Sequence, residues 1–164
     1  MQKKTILFPG ILFLIFLGCA SGLKPLSGDP QYIDLDAGIE NSVREKLIVE
    51  IKKFYGAPYR WGGSTPEGTD CSGMVQTIFK NAASINLPHN ADLIFKGTKK
   101  IPTRDLMLGD LVFFSMDGSA RATHMGVYIK NGYFIHASSS KGVILSKLGD
   151  RYYKRQFIGA TRVE

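Results

Sequence analysis

Cysteine is scarce in this chain, with two among 164 residues, Cys19 and Cys71, alongside one tryptophan and three histidines. Two cysteines close at most one bridge, so no disulfide framework holds the fold together. His89, His124 and His136 are scattered around the single downstream Cys71 with no zinc-ligand spacing, so neither a metal nor another cofactor is expected. Long apolar runs are missing too. The run from Ile6 to Leu17 is interrupted by Pro9 and Gly10, and it is shorter than the about 20 residues of a membrane-spanning helix. Neither an internal repeat nor a low-complexity tract is present, which excludes a solenoid. Acidic residues are outnumbered, 14 against 21 basic, for a net charge of +7, or +5 without Lys3 and Lys4. The excess is spread along the chain and not interleaved with aromatics, so a nucleic-acid partner is not expected. A mildly basic exterior suits anionic lipid headgroups or carboxylate-bearing peptides, and solvated surface charge accounts for it equally well.

The N-terminus reads as an address. Lys3 and Lys4 precede the short apolar segment, and residues 1–18 fit a secretory signal peptide. Phe16-Leu17-Gly18-Cys19 resembles a bacterial lipobox, with Phe16 where leucine is usual. Cys19 is therefore the expected lipidation site and the membrane anchor; an ordinary signal peptide with a chance cysteine is the alternative. With Cys19 acylated, Cys71 has no disulfide partner and stays a free thiol. Residues 19–40 read as the lipidated N-terminus and a tether, or else as an arm packed on the domain. Ala20 after the lipidated cysteine, by resemblance to lipoprotein sorting, points to the periplasmic face of an outer membrane where one exists.

One domain is expected over residues 41–164. Ser42 to Glu45 forms a capping box, and Val43, Leu47, Ile51, Phe54 and Tyr55 recur at helical spacing before Gly56 and Pro58 end the helix. The stretch from Tyr59 to Gly73 is a loop of glycine and turn residues that runs into a second helical pattern, Met74, Val75, Ile78, Phe79 and Ala82. Asp70 is the natural N-cap, which puts Cys71 in the first turn. The helix dipole favours a thiolate there, the Asp70 charge opposes it, and a histidine is the cation that would complete the balance. Trp61 is expected either in the core or on a groove wall. Asn86 to Asn90 reads as a loop, with His89 on the surface or in a groove and without a partner in its own block. Residues 91–96 suggest a short helix. Residues 110–115, 123–130, 133–137, 143–147 and 157–163 read as strands, an α+β order.

Asn131-Gly132 signals a two-residue hairpin. Pairing Lys130 with Tyr133 sets His124 opposite the region just past His136, near Ser138 and Ser139, with both imidazoles on one sheet face.

Four blocks now carry a resemblance. Pro58 to Gly63 with Gly68 to Gly73, Leu108 to Phe114, His124 to Ile129, and Phe134 to Ala137 are similar, in content and order, to the NlpC family of cell-wall cysteine endopeptidases. The resemblance implies a papain-like α+β fold, with N-terminal helices packed on an antiparallel sheet. It implies Cys71 as nucleophile, His124 as general base and acid, His136 as the residue orienting His124, and Tyr59 as an oxyanion donor. It implies hydrolysis of amide bonds in peptidoglycan stem peptides or their cross-links. Thr69 stands where an aromatic is common, Leu108 where proline is common, and His89 where arginine is usual. The alternatives are an amidase or acyltransferase on the same scaffold, or a wall-binding lipoprotein without catalysis.

Overall fold

The computed structural model describes residues 43–163. The signal-peptide reading of 1–18, Cys19, the 19–40 tether and the Ser42 end of the capping box lie outside the described residues. In chain order the elements are α1 (Val43–Phe54), β1 (Ser64–Thr65), β2 (Gly68–Thr69), α2 (Cys71–Ala83), α3 (Ala91–Gly97), β3 (Lys99–Ile101), β4 (Leu111–Phe114), β5 (His124–Tyr128), β6 (Tyr133–Ser138), β7 (Gly142–Lys147), α4 (Arg151–Gln156) and β8 (Phe157–Arg162). The chain is α+β. Six strands form one antiparallel sheet in the order β3-β8-β4-β5-β6-β7, and β1 and β2 form a separate small hairpin.

The sheet has two apolar faces. On one, Leu111, Phe113, Met125, Val127, Ile135 and Ala137 meet the helix layer, Leu47, Ile51 and Phe54 of α1 and Met74, Val75, Ile78 and Phe79 of α2. On the other, Val112, Phe114, Phe134 and Ala160 form a smaller core, against which Tyr153 of α4 and Phe157 pack. The run Leu-Val-Phe-Phe of β4 is buried at every position because it serves both cores. Strand β8 slots between β3 and β4. Arg162, the last residue of β8, makes a two-pronged bond to the buried Asp110 carboxylate at 2.7 and 2.8 Å, which fastens β8 to the entrance of β4.

Three expectations need correction. Val43 and Tyr55 are exposed rather than on the buried face of α1. Val43 opens the helix and Tyr55 follows its last residue, where Gly56 at φ +82° turns the chain away; Ile48 and Glu50 complete the buried stripe instead. Glu50 takes Lys53 Nζ at 2.5 Å and Asn81 Nδ2 at 3.0 Å, and the second bond ties α1 to α2. The second correction adds elements: β1, β2, β3 and α4 carry no periodic signal and were not expected as regular structure.

The third concerns register. Asn131 and Gly132 do turn, with φ +53° and +80°, and the Tyr133 N–H donates to Lys130 O at 2.9 Å. The Ile129 N–H, however, donates to Tyr133 O at 2.8 Å, so Ile129 and Lys130 together oppose Tyr133. This bulge shifts the pairing by one residue, to Val127 with Ile135 and Tyr128 with Phe134. The difference decides the site. The plain Lys130–Tyr133 pairing expected from the sequence does not itself put both imidazoles on one face: it would set His136 across from Val127, on the helix-side face and away from His124. The bulge sets it across from Gly126, so that residues 124, 126, 134 and 136 share a face. Glycine at 126 leaves the room His136 needs, since an added Cβ would come within 3.1 Å of His136 Cβ and 2.8 Å of the Phe134 ring.

Candidate active site

The loop before α2 is folded tightly onto the helix start. Arg60 N–H donates to Thr69 O at 2.9 Å, Thr69 N–H to Pro58 O at 3.1 Å and Asp70 N–H to Gly63 O at 3.0 Å. Gly73 is required there, because a methyl group would collide with the Gly63 carbonyl oxygen. Asp70 caps α2, accepting the Gly73 N–H at 2.7 Å and the Ser72 hydroxyl at 3.0 Å on Oδ1, and the Gly62 N–H at 2.9 Å on Oδ2. His89 does have a partner: its Nε2 lies 2.9 and 3.0 Å from the two Asp70 oxygens. Burial pushes the Asp70 carboxyl up, but the Gly73 amide, the His89 ring, the Gly62 amide and the Ser72 hydroxyl outweigh it and hold it below the usual carboxylate range.

Cys71 thus stands at the first position of α2, a free thiol half-open to a groove. Burial is the largest influence on the thiol and raises it, and the Asp70 charge adds to that. The amides of Met125, Ser72 and Cys71 pull the other way, and the balance stands at about 11. The groove has two halves. One, of about 640 Å³, is lined by Cys71, Asp70, Ser72, His89, Trp61 and Arg121, among others. The other, of about 880 Å³, is lined by His136, the serines at 138–140, Lys141, Ser146 and Tyr153, among others. Tyr59 and His124 line both, so they mark the junction. Trp61 is 85% exposed on the rim of the first half, a wall residue rather than a core residue. Burial, and then the charges of Cys71 and Asp70, raise the Tyr59 phenol.

The two imidazoles meet. His124 Nε2 lies 2.9 Å from His136 Nδ1, and the rings stand nearly perpendicular. His136 is buried, stacked on Phe134 with centroids 5.0 Å apart. Its Nε2 lies 3.0 Å from Ser146 Oγ and 3.0 Å from the Tyr153 hydroxyl. Burial lowers His124 to about 4; burial and then the neighbouring His124 lower His136 to about 3. Both rings are therefore neutral at ordinary pH. With its Nε2 committed to His136, His124 has Nδ1 left for the groove.

Ser146 and Tyr153 escape a reading of the sequence. Ser146 faces Phe134 across the β6–β7 pair, so it could be found only once that register is known. Tyr153 sits in the six-residue α4, too short to show a period. Among the described residues no three His, Cys, Asp or Glu side chains gather as they would around a metal.

A thiol at a helix start, opening on a groove shared with a hydrogen-bonded imidazole pair, is the arrangement of a cysteine–histidine acyl-transfer scaffold. The particular scaffold is identified by comparison: the sequence profile of the NlpC/P60 family matches residues 56–162, and the chain belongs to that family. A gamma-DL-glutamyl hydrolase of Bacillus subtilis strain 168 is 34% identical over 148 residues, 90% of this chain but only 33% of that protein. A probable endopeptidase NlpC of Escherichia coli strain K12 is 37% identical over 153 residues, 93% of this chain and 96% of that one. Among solved structures, a lipoprotein-like NLP/P60 family protein of Staphylococcus aureus Mu50 superposes with a TM-score of 0.68 at 32% identity, covering 76% of this chain and 42% of that one.

Proposed function

We propose that this chain is a peptidoglycan endopeptidase that cuts amide bonds in stem peptides or their cross-links. The observation that carries the reading is the contact between His124 and His136, at the junction of a groove that also holds Cys71. Relatives named murein DD-endopeptidase and probable peptidoglycan endopeptidase support the substrate class. In the reaction, Cys71 Sγ attacks the amide carbonyl while His124 Nδ1 takes the thiol proton. The backbone N–H of Cys71 and the Tyr59 hydroxyl receive the oxyanion. His124 then returns the proton to the leaving amine, and water, activated by His124, hydrolyses the thioester. His136 holds the ring of His124, the part a carboxylate or amide plays in other triads. The leaving amine must lie on the His124 side of the thiol, so the acyl part occupies the half with Asp70 and Ser72, and the leaving part the half with Lys141.

The test is mass analysis of purified wall fragments after digestion. Shortened stem peptides with wild type and none with Cys71→Ala are expected. Glycan stripped of intact stems would identify an amidase instead, and undiminished cleavage by Cys71→Ala would remove the thiol chemistry.

Location is part of the same proposal. A wall-cutting enzyme works outside the cytoplasm, and lipid on Cys19 would hold it at a membrane, the outer membrane where the cell has one. Fatty-acid label on the wild-type chain and its loss in Cys19→Ala, with activity in solution kept, is the expected outcome. An unlabelled wild type would dismiss the anchor.

A further inference from the structure

We infer that Ser146 and Tyr153 are positioning residues that fix the proton of His136 on Nε2, and through it leave His124 Nδ1 unprotonated toward the groove. The inference rests on the cysteine-peptidase reading above and extends it by two residues.

A neutral imidazole has one N–H and one lone pair, and both rings here are neutral. One hydrogen lies between His124 Nε2 and His136 Nδ1, 2.9 Å apart, and it belongs to one ring or the other. If His124 supplies it, His124 Nδ1 carries a lone pair and can take the thiol proton. If His136 supplies it, His124 must carry its own hydrogen on Nδ1, and it can take nothing from Cys71. The choice is made at the far end of His136. In the competent state His136 Nε2 is an N–H that needs an acceptor, in a place where the ring is 1% exposed.

Two oxygens meet that need, Ser146 Oγ and Tyr153 Oη, each 3.0 Å from Nε2. Burial pushes the Tyr153 phenol up, and the Ser146 hydroxyl pulls it down against that larger push. Either hydroxyl oxygen can accept from His136, and Tyr153 stands on the wall of the larger groove half. Among the described residues no other group bonds to His136 Nε2. Phe134 stacks on the His136 ring, and Phe114 packs against both Phe134 and His124. When His124 becomes an imidazolium, His136 Nδ1 accepts from it, and the two hydroxyl oxygens steady the partial positive charge that His136 acquires. A carboxylate would do this in one step; here a neutral ring and two hydroxyls share the work.

The test uses the folded chain and three variants, Tyr153→Phe, Ser146→Ala and the double. Tyr153→Phe keeps the ring that packs edge-on to Phe134 and His136. Two readouts are taken at matched folded fraction: imidazole nitrogen spectra, which report which ring nitrogen carries hydrogen, and kcat against KM on a stem peptide. In wild type both histidines should carry hydrogen on Nε2. Either hydroxyl can serve alone, so each single variant should lose a few-fold in kcat. The double variant should lose about tenfold or more, the order set by one hydrogen bond, with KM unchanged and hydrogen redistributed to His136 Nδ1. Ser146→Thr, which keeps the hydroxyl, should restore kcat in place of Ser146→Ala. A wild-type spectrum with His136 protonated on Nδ1 overturns the inference. So does a double variant that slows without any change of tautomer, since that is mere structural damage, or one that does not slow at all. A wild type that cleaves no wall peptide refutes the enzymatic reading, and with it the inference that rests upon it, whatever the spectra show.

Discussion

A neutral thiol beside a neutral imidazole gives a different pH signature from a resident ion pair. Burial drives Cys71 up to about 11 and His124 down to about 4, so the site opposes both halves of a thiolate–imidazolium pair. The proton moves as the substrate is attacked, not before. Alkylation of the free enzyme by iodoacetamide should therefore accelerate with pH, about tenfold per unit while the thiolate is a small fraction. Measured rates that stay level from mildly acidic to alkaline pH would reveal a resident thiolate and contradict this. At this scale the sequence was informative where neighbours in the chain interact. Asp70 as cap and Cys71 in the first turn follow from a local pattern. His89 has no partner in its own block, as the sequence indicates; Asp70 belongs to another block and is brought to it by the loop before α3. Tyr153 reaches His136 across the second core, which no spacing in the sequence encodes.

At the scale of elements, the hairpin between β5 and β6 shows what a turn signal can and cannot deliver. Asn131-Gly132 named the turn; the bulge at Ile129 and Lys130 chose the face. Bulges of this kind cost one unpaired residue and leave no compositional mark, so register was the part of the sheet hardest to read. The geometry makes an unusual forecast. Deleting Lys130 joins Ile129 directly to Asn131-Gly132 and turns a bulged hairpin into a plain two-residue one. The pairs Val127 with Ile135 and Tyr128 with Phe134 survive, and so does the shared face of His124 and His136. The shortened chain should fold, melt within a few degrees of wild type, and keep most of its turnover; loss of turnover with an intact melt would show that the bulge does more than set register. Helices α1 and α2 were legible because their buried stripes repeat over three turns. Strand β3, with Lys99 and Lys100 exposed on the sheet edge, looks like solvated charge until β8 is beside it.

The molecule as a whole keeps two imidazoles uncharged, and its stability must answer to that. Both fall below the ordinary histidine value of 6.5, to about 4 for His124 and about 3 for His136. The unfolded chain then binds more protons than the folded one below about pH 6.5, so stability falls as pH falls. The contribution is fully present above 6.5 and is lost as the pH drops through about 4 and about 3. Melting temperature should decline from pH 6.5 to 4.5, before most carboxylates titrate, and His136→Asn should flatten that decline; a wild-type melt level across the window would refute it. The layered architecture has a consequence of another kind. Cys71 arrives with the helix layer on one side of the sheet, while His124, His136, Ser146 and Tyr153 belong to the other side. Neither layer alone holds more than an idle thiol or an idle pair of rings. A newly made copy is therefore latent until both cores have closed.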